Sequence, residues 1–146
     1  MRVAVLGGTG LIGWHAARNL RAHGHDVVIL ARNPPSEALG LQDAEFVSLD
    51  LYAADTATLE AAFEGCDALV QAAGADPRIV PSGSAHDFFY RANVETNLRI
   101  FNAACDAGVR SAVILTSYFH PLRPEMASHP YAASRIASEE KLLELC

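Results

Sequence analysis

The run Gly7-Gly8-Thr9-Gly10-Leu11-Ile12-Gly13 constrains this chain more than any other stretch of it. It follows a short β-branched apolar run, residues 2–6 (RVAVL), and leads directly into an amphipathic stretch over 11–23, so it sits where a strand hands over to a helix. Gly7, Gly10 and Gly13 form a GxxGxxG. At such a junction Gly7 and Gly10 permit a tight turn and a close approach of backbone to a pyrophosphate, the helix start offers free N–H groups to its charge, and Gly13 lets helix and strand come together. Elsewhere three spaced glycines would be weak evidence. Here they predict a phosphate-binding turn.

The rest of the chain repeats the same alternation of strand and helix. Strands are expected over 27–31 (VVILA), 45–49 (EFVSL), 68–72 (ALVQA) and 111–115 (SAVIL). The first helix is closed by Gly24, a short helix over 56–63 starts at the cap residue Asp55, a long helix runs over about 86–107 up to Gly108, and a last one over 131–145. In the long helix Phe89, Val94, Leu98, Phe101 and Ala104 mark the apolar face. Near-continuous apolar strands separated by helices imply a parallel sheet covered on both faces, with right-handed crossovers: a doubly wound α/β domain. At 146 residues and 51% hydrophobic, the chain can bury a sizeable core without metal or disulfide support.

Composition narrows the partners. Seventeen acidic residues against 11 basic ones, a formal charge of -6 and no Lys/Arg cluster argue against nucleic acid. No apolar run reaches membrane-spanning length, and the N-terminus enters a strand without a signal-like segment, which points to a cytoplasmic protein with no membrane partner. Cys66, Cys105 and Cys146 are odd in number and widely spaced, fitting reduced, mostly buried thiols. His15, His23, His25, His120 and His129 read as surface or loop residues, and no His/Cys/carboxylate set has metal-ligand spacing.

An NAD-preferring site places a carboxylate at the end of the second strand, against the ribose 2′-hydroxyl. This chain has Ala31-Arg32 there. Without the carboxylate a 2′-phosphate meets no repulsion, and the guanidinium of Arg32 offers it a charged, two-pronged partner. The expected cofactor is therefore NADP, with NAD second.

Taken together, the glycine loop, Asp50-Leu51 after the third strand, Ala72-Ala73-Gly74 after the fourth, Asn93-Val94-Glu95-Thr96-Asn97 in the long helix, Thr116-Ser117 after the fifth strand and Tyr131 opening the last helix carry a resemblance. The chain resembles the short-chain dehydrogenase/reductase superfamily over essentially its whole length, in the extended or atypical branch of NAD(P)-dependent epimerase/dehydratase and dihydroflavonol-reductase-like proteins. The resemblance implies an NAD(P)-binding Rossmann domain over 1–146, with strand order 3-2-1-4-5. Asp50 and Leu51 would flank the adenine, Ala72, Ala73 and Gly74 would line the central ribose and phosphates, and Asn93 would hold the long helix near the active site. Extended members continue well beyond this length, so a C-terminal substrate-binding part is expected in addition, and an uncharged fifth strand at the sheet edge should be covered by further chain or by another subunit. Self-association stays open.

Family chemistry uses a Tyr as acid/base, a Lys four residues on, and a Ser or Thr after the fifth strand. A free phenol ionises only near pH 10, so it needs a cation close by to act as a base at neutral pH. Tyr131 and Arg135 share a helix face at i and i+4, but Arg stands where the family has Lys. Arginine keeps the charge yet cannot join a proton relay by deprotonating. The substrate hydroxyl partner is Ser117, with Thr116 second and Tyr118 a further alternative. These residues imply an NADP-dependent oxidoreductase or epimerase/dehydratase transferring hydride at a hydroxyl or carbonyl carbon of a small molecule, a nucleotide sugar or a carbonyl compound. The rival reading is a non-catalytic NAD(P)-binding sensor or interaction protein, motivated by Arg135 and Tyr118 where the family has Lys and Ser, although a chain with ten Arg and one Lys also drifts towards Arg generally.

Overall fold

A computed structural model describes residues 1–117 and 124–145; Tyr118, His120 and Cys146 lie outside the described residues. Five strands, β1 (Arg2–Leu6), β2 (Asp26–Ala31), β3 (Glu45–Ser48), β4 (Ala68–Gln71) and β5 (Ser111–Ile114), form one sheet in the order β3-β2-β1-β4-β5. Every pairing is parallel, as the expected doubly wound topology requires. The helices are α1 (Leu11–Ala22), α2 (Thr56–Phe63), α3 (Ala85–Tyr90), α4 (Thr96–Asp106) and α5 (Pro130–Leu143). The chain divides into two compact units, residues 1–73 with 102–115, and 74–101 with 116–146.

The first unit holds the whole sheet. β1 is its central strand, paired to β2 and β4, and Ala4, Val5 and Leu6 are fully buried, which is why the run is apolar without alternation. Val3, Val5, Val27 and Ile29 pack with Ala17 of α1 and with Leu41, and Trp14 and Leu20 close over them. Trp14 also donates its indole N–H to the Leu39 carbonyl at 2.8 Å, pinning the loop that follows β2. α1 ends at Gly24, whose φ of +79° suits glycine. Asp55 caps α2 as expected: its carboxylate accepts from the Thr58 N–H at 2.9 Å, and the Thr58 side chain, together with that N–H, holds the acid below its usual range. β5 lies at the sheet edge with Val113 58% exposed. Cys66 is buried, and burial pushes its thiol up. Cys105, however, is exposed; it follows the buried Ala103 and Ala104 and so turns outward, contrary to the expectation of mostly buried thiols.

The second unit corrects the reading of one continuous α-helix over 86–107. The helix starts at Ala85, capped by the Ser84 hydroxyl, and is interrupted by a π turn at Arg91–Glu95 before α4 resumes. The Thr96 hydroxyl donates to the Arg91 carbonyl at 2.9 Å, bridging the widened turn. A π turn absorbs one extra residue, which accommodates the five-residue step from Phe89 to Val94, both of them buried. Two equivalent rungs join this helix to α5: Asn93 donates to the Ser134 hydroxyl and Asn97 to the Ser138 hydroxyl, each at 3.0 Å. Both pairs advance by four residues, so the two helices run parallel. Phe89 meets Phe88 and Tyr131 edge-on, with ring centroids 5.1 and 5.6 Å apart.

Asn93 is fully buried, and its side-chain oxygen also accepts from the Ala75 N–H at 3.2 Å. Replacing it by Ala strands the Ala75 N–H away from water and removes the donor to the Ser134 hydroxyl. Asn93→Ala is expected to lower stability by about 1–3 kcal/mol, the usual range for orphaned buried polar groups, read from the urea midpoint at unchanged slope.

Candidate functional site

The turn between β1 and α1 is built from contacts that exclude side chains. Gly7 has φ +82°, its N–H donates to the Leu30 carbonyl of β2 at 2.8 Å, and a Cβ there would lie 2.9 Å from the Ala73 nitrogen. The Gly7 carbonyl accepts from the Gly10 N–H at 2.9 Å, closing the turn. Gly13 then presses on that same carbonyl group, and a Cβ on it would collide with the Gly7 oxygen. Gly13 thus packs on the turn itself, a tighter constraint than the helix-to-strand contact expected of it. Gly8, to which the sequence assigned no role, has its own limit: a Cβ would come 2.9 Å from the Ile29 side chain. Gly10 differs, because a Cβ there would meet only the Gly7 oxygen, at 3.2 Å.

The start of α1 is correspondingly bare. Its N-cap is Gly10, which offers no side-chain cap, and its first turn carries no acid. The first bond into the helix runs from the Trp14 N–H to the Gly10 carbonyl at 2.8 Å, so the N–H groups of Leu11, Ile12 and Gly13 precede it and have no acceptor within the helix. Leu11 and Ile12 are 75% and 56% exposed. An uncapped helix start with a side-chain-free approach at Gly10 fits the negative charge of a pyrophosphate. Gly7, Thr9, Gly10, Leu11, Ile12 and Gly13 are the residues that would hold it.

Other residues expected to bind the nucleotide fall in the same unit. Arg32 follows β2 with its side chain exposed, and its carbonyl accepts from the Ser48 hydroxyl at 3.2 Å. Asp50 makes a turn: its carboxylate accepts from the Tyr52 N–H at 3.0 Å and its carbonyl from the Ala53 and Ala54 N–H groups. Leu51 beside it is half-buried. Ala72 is tied to β1 through the Leu6 carbonyl at 2.9 Å, and the Ala73 N–H is satisfied by the Gln71 side chain at 3.1 Å. Gln71 was not singled out in the sequence. Its signal is a polar residue closing an apolar strand, and it is buried.

Gly74, Asn93, Thr116, Ser117, Tyr131 and Arg135 fall in the second unit. Tyr131 opens α5 behind Pro130 at the first helical position, and its ring is buried against Phe89 and Ala75. The Arg135 guanidinium carbon lies 5.3 Å from the centre of that ring, so the pair expected at i and i+4 does meet. Asn93 connects these parts. It fixes the Ala75 backbone next to Gly74 and holds Ser134, whose hydroxyl donates to the Tyr131 carbonyl at 2.7 Å. Ser134 was missed in the sequence because a serine inside a helix gives no signal by itself. Ser117 is half-buried and Thr116 exposed in the segment after β5. Among the described residues no three His, Cys, Asp or Glu side chains gather as metal ligands, and no helix is long and apolar enough to cross a membrane.

The family model for the NAD dependent epimerase/dehydratase family matches residues 3–146. The chain belongs to that family. It is a Rossmann-type NAD(P)-binding domain, and its parallel sheet in the order β3-β2-β1-β4-β5 is that of the fold. It is 39% identical over 104 residues to a dTDP-6-deoxy-L-talose 4-dehydrogenase (NAD(P)(+)) of Kitasatospora kifunensis, a match covering 70% of this chain and 30% of the relative. It is 34% identical over 126 residues to cinnamoyl-CoA reductase 1 of Oryza sativa subsp. japonica, covering 80% of this chain and 34% of that protein. Among solved structures, a UDP-glucose-4-epimerase from Stenotrophomonas maltophila with bound NAD and formylated UDP-arabinopyranose superposes with a TM-score of 0.78 at 26% identity, over 99% of this chain and 48% of the other. The chain therefore spans about a third of these curated relatives and about half of that epimerase.

The contrast between two glycines of the epimerase/dehydratase loop is testable. Gly10→Val should keep a cooperative thermal transition and lose dinucleotide binding, because its new side chain presses only on the Gly7 oxygen and otherwise takes the place where phosphate would lie. Gly13→Val should instead lose the cooperative transition, since backbone cannot yield to it. Circular-dichroism melts paired with titration of nicotinamide fluorescence check both.

Proposed function

We propose that this chain is the nucleotide-binding part of an NADP-dependent oxidoreductase or epimerase/dehydratase acting at a hydroxyl- or carbonyl-bearing carbon of a small molecule. The observation that carries the reading is Tyr131 at the start of α5 with the Arg135 guanidinium over its ring, in a chain of the epimerase/dehydratase family. A bound nicotinamide supplies the hydride acceptor or donor. Tyr131 gives or takes the proton of the substrate oxygen, Arg135 is the fixed cation beside the phenol, and Ser117 orients the substrate oxygen. Nucleotide sugars and carbonyl compounds are the substrate classes, supported by the names of the dTDP-sugar dehydrogenase and the cinnamoyl-CoA reductase among the relatives. A second reading, a dinucleotide-binding sensor without turnover, is favoured by Arg135 alone, because a guanidinium does not deprotonate to relay a proton.

The decisive variant is Tyr131→Phe, assayed with nucleotide-hexose and CoA-thioester panels. Turnover should vanish while dinucleotide affinity stays within about twofold, since the hydroxyl acts on substrate and not on the nucleotide. Full activity in Tyr131→Phe would remove Tyr131 from the reaction. No turnover of any panel member by the wild type, with intact dinucleotide binding, would favour the sensor.

For the cofactor, Ala31 and the exposed Arg32 at the end of β2 support NADP over NAD. NADPH should bind about tenfold or more tightly than NADH, the scale of a charge-assisted contact to phosphate. Arg32→Ala should bring the two affinities together, and equal affinities in the wild type would contradict the assignment.

A further inference from the structure

Arg135 carries a planar fork where the family resemblance leads to the slimmer ammonium of lysine, and a fork needs more room. The structure shows where that room comes from. A Cβ built on Gly74 would fall 2.5 Å from the Arg135 Nη2 and 3.2 Å from both its Cζ and its Nη1. Those atoms span the head of the side chain, so the guanidinium crowds the place where every residue but glycine has its first side-chain carbon. Backbone conformation gives no other reason for glycine here, because Gly74 is not among the positive-φ positions. Nor is the peptide free to retreat. The adjoining Ala75 N–H is bound to the buried Asn93, and the same asparagine reaches the Tyr131 carbonyl through Ser134. The fork thus lies against two surfaces, the Tyr131 ring and the bare Gly74 peptide, and Asn93 is hydrogen-bonded to the backbone beside one and, through Ser134, to the backbone of the other.

We propose that Gly74 is a positioning residue for Arg135: the missing Cβ at 74 is what lets an arginine fork stand beside Tyr131. The inference rests on the role given to Arg135 above, but its geometric half can be measured without any turnover. The atoms a Cβ would meet are the far end of a flexible side chain, so Gly74→Ala should fold and should displace the guanidinium. Lysine, with a single nitrogen at its tip, does not need the space, so Gly74→Ala should be tolerated in an Arg135→Lys background.

The test uses wild type, Gly74→Ala, Arg135→Lys and the double variant. In the protein without dinucleotide, NMR of the Arg135 side-chain resonances, assigned by their loss in Arg135→Lys, should show a ring-current shift from Tyr131 that Gly74→Ala abolishes. In turnover, Gly74→Ala should lower kcat by about 100-fold, the scale of an ångström-sized misplacement, with KM little changed. The loss of kcat from Gly74→Ala should be smaller by about tenfold or more in the Arg135→Lys background than in the wild type, since any cost from Gly74's place beside the dinucleotide is common to both. An unchanged ring-current shift in Gly74→Ala, or an equal loss of kcat from Gly74→Ala in both backgrounds, would overturn the proposal. If Gly74→Ala does not fold, recovery of folding in the double variant supports it, and failure of both contradicts it. Loss of the catalytic reading through an active Tyr131→Phe would leave the ring-current result standing as a separate finding.

Discussion

The contact between Gly13 and the Gly7 carbonyl is the constraint on which the nucleotide half of the protein depends. Because a helix residue lies directly on the turn that precedes it, α1 must begin immediately after Gly10, with no residue available to cap it. The bare helix start is therefore a consequence of packing. The same Gly7 holds β2 through the Leu30 carbonyl and leaves no space for a side chain towards Ala73, so the ends of β1, β2 and β4 are fixed by one residue. Electrostatics then follow from geometry: N–H groups without acceptors in their own helix, gathered at its positive end, favour an anion of the size of a phosphate.

The second unit achieves rigidity with hydrogen bonds where the first uses apolar strands. Asn93 and Asn97, one helical turn apart, each hold a serine of α5, and all four side chains are buried. Amide-to-hydroxyl rungs fix helix register more specifically than leucine contacts would, because a slip of one residue strands a buried donor. The π turn at Arg91–Glu95 contains Asn93, so the residue that departs from regular helix geometry is the one that reaches both Ala75 and Ser134. Such departures concentrate at functional positions, and this one supports the tyrosine and arginine to which the chemistry is assigned.

How much of this was legible in the sequence follows from the range of the interactions. The strands and α1 and α2 were readable because local apolar periodicity and the punctuating Gly24 and Asp55 decide them, and the ends moved by a residue at most. The glycine loop was readable because its meaning depends only on the strand before it and the helix after it. The π turn was not read, although the five-residue step from Phe89 to Val94 held a trace of it. Ser134 and the meeting of Gly74 with Arg135 depend on partners distant in the chain, for which one sequence carries no signal. The exposed Cys105 shows the same limit in reverse, since residue type alone suggests a buried thiol and only the helix face decides.

The central claim is that the start of α1 holds the pyrophosphate of a nicotinamide dinucleotide. Its most direct measurement is an amide chemical-shift titration with NADPH, followed residue by residue. The account predicts saturable shifts at the N–H groups of Leu11, Ile12 and Gly13, with the interior strand amides of β1 nearly still. Saturable binding of NADPH with those three amides unmoved would contradict it.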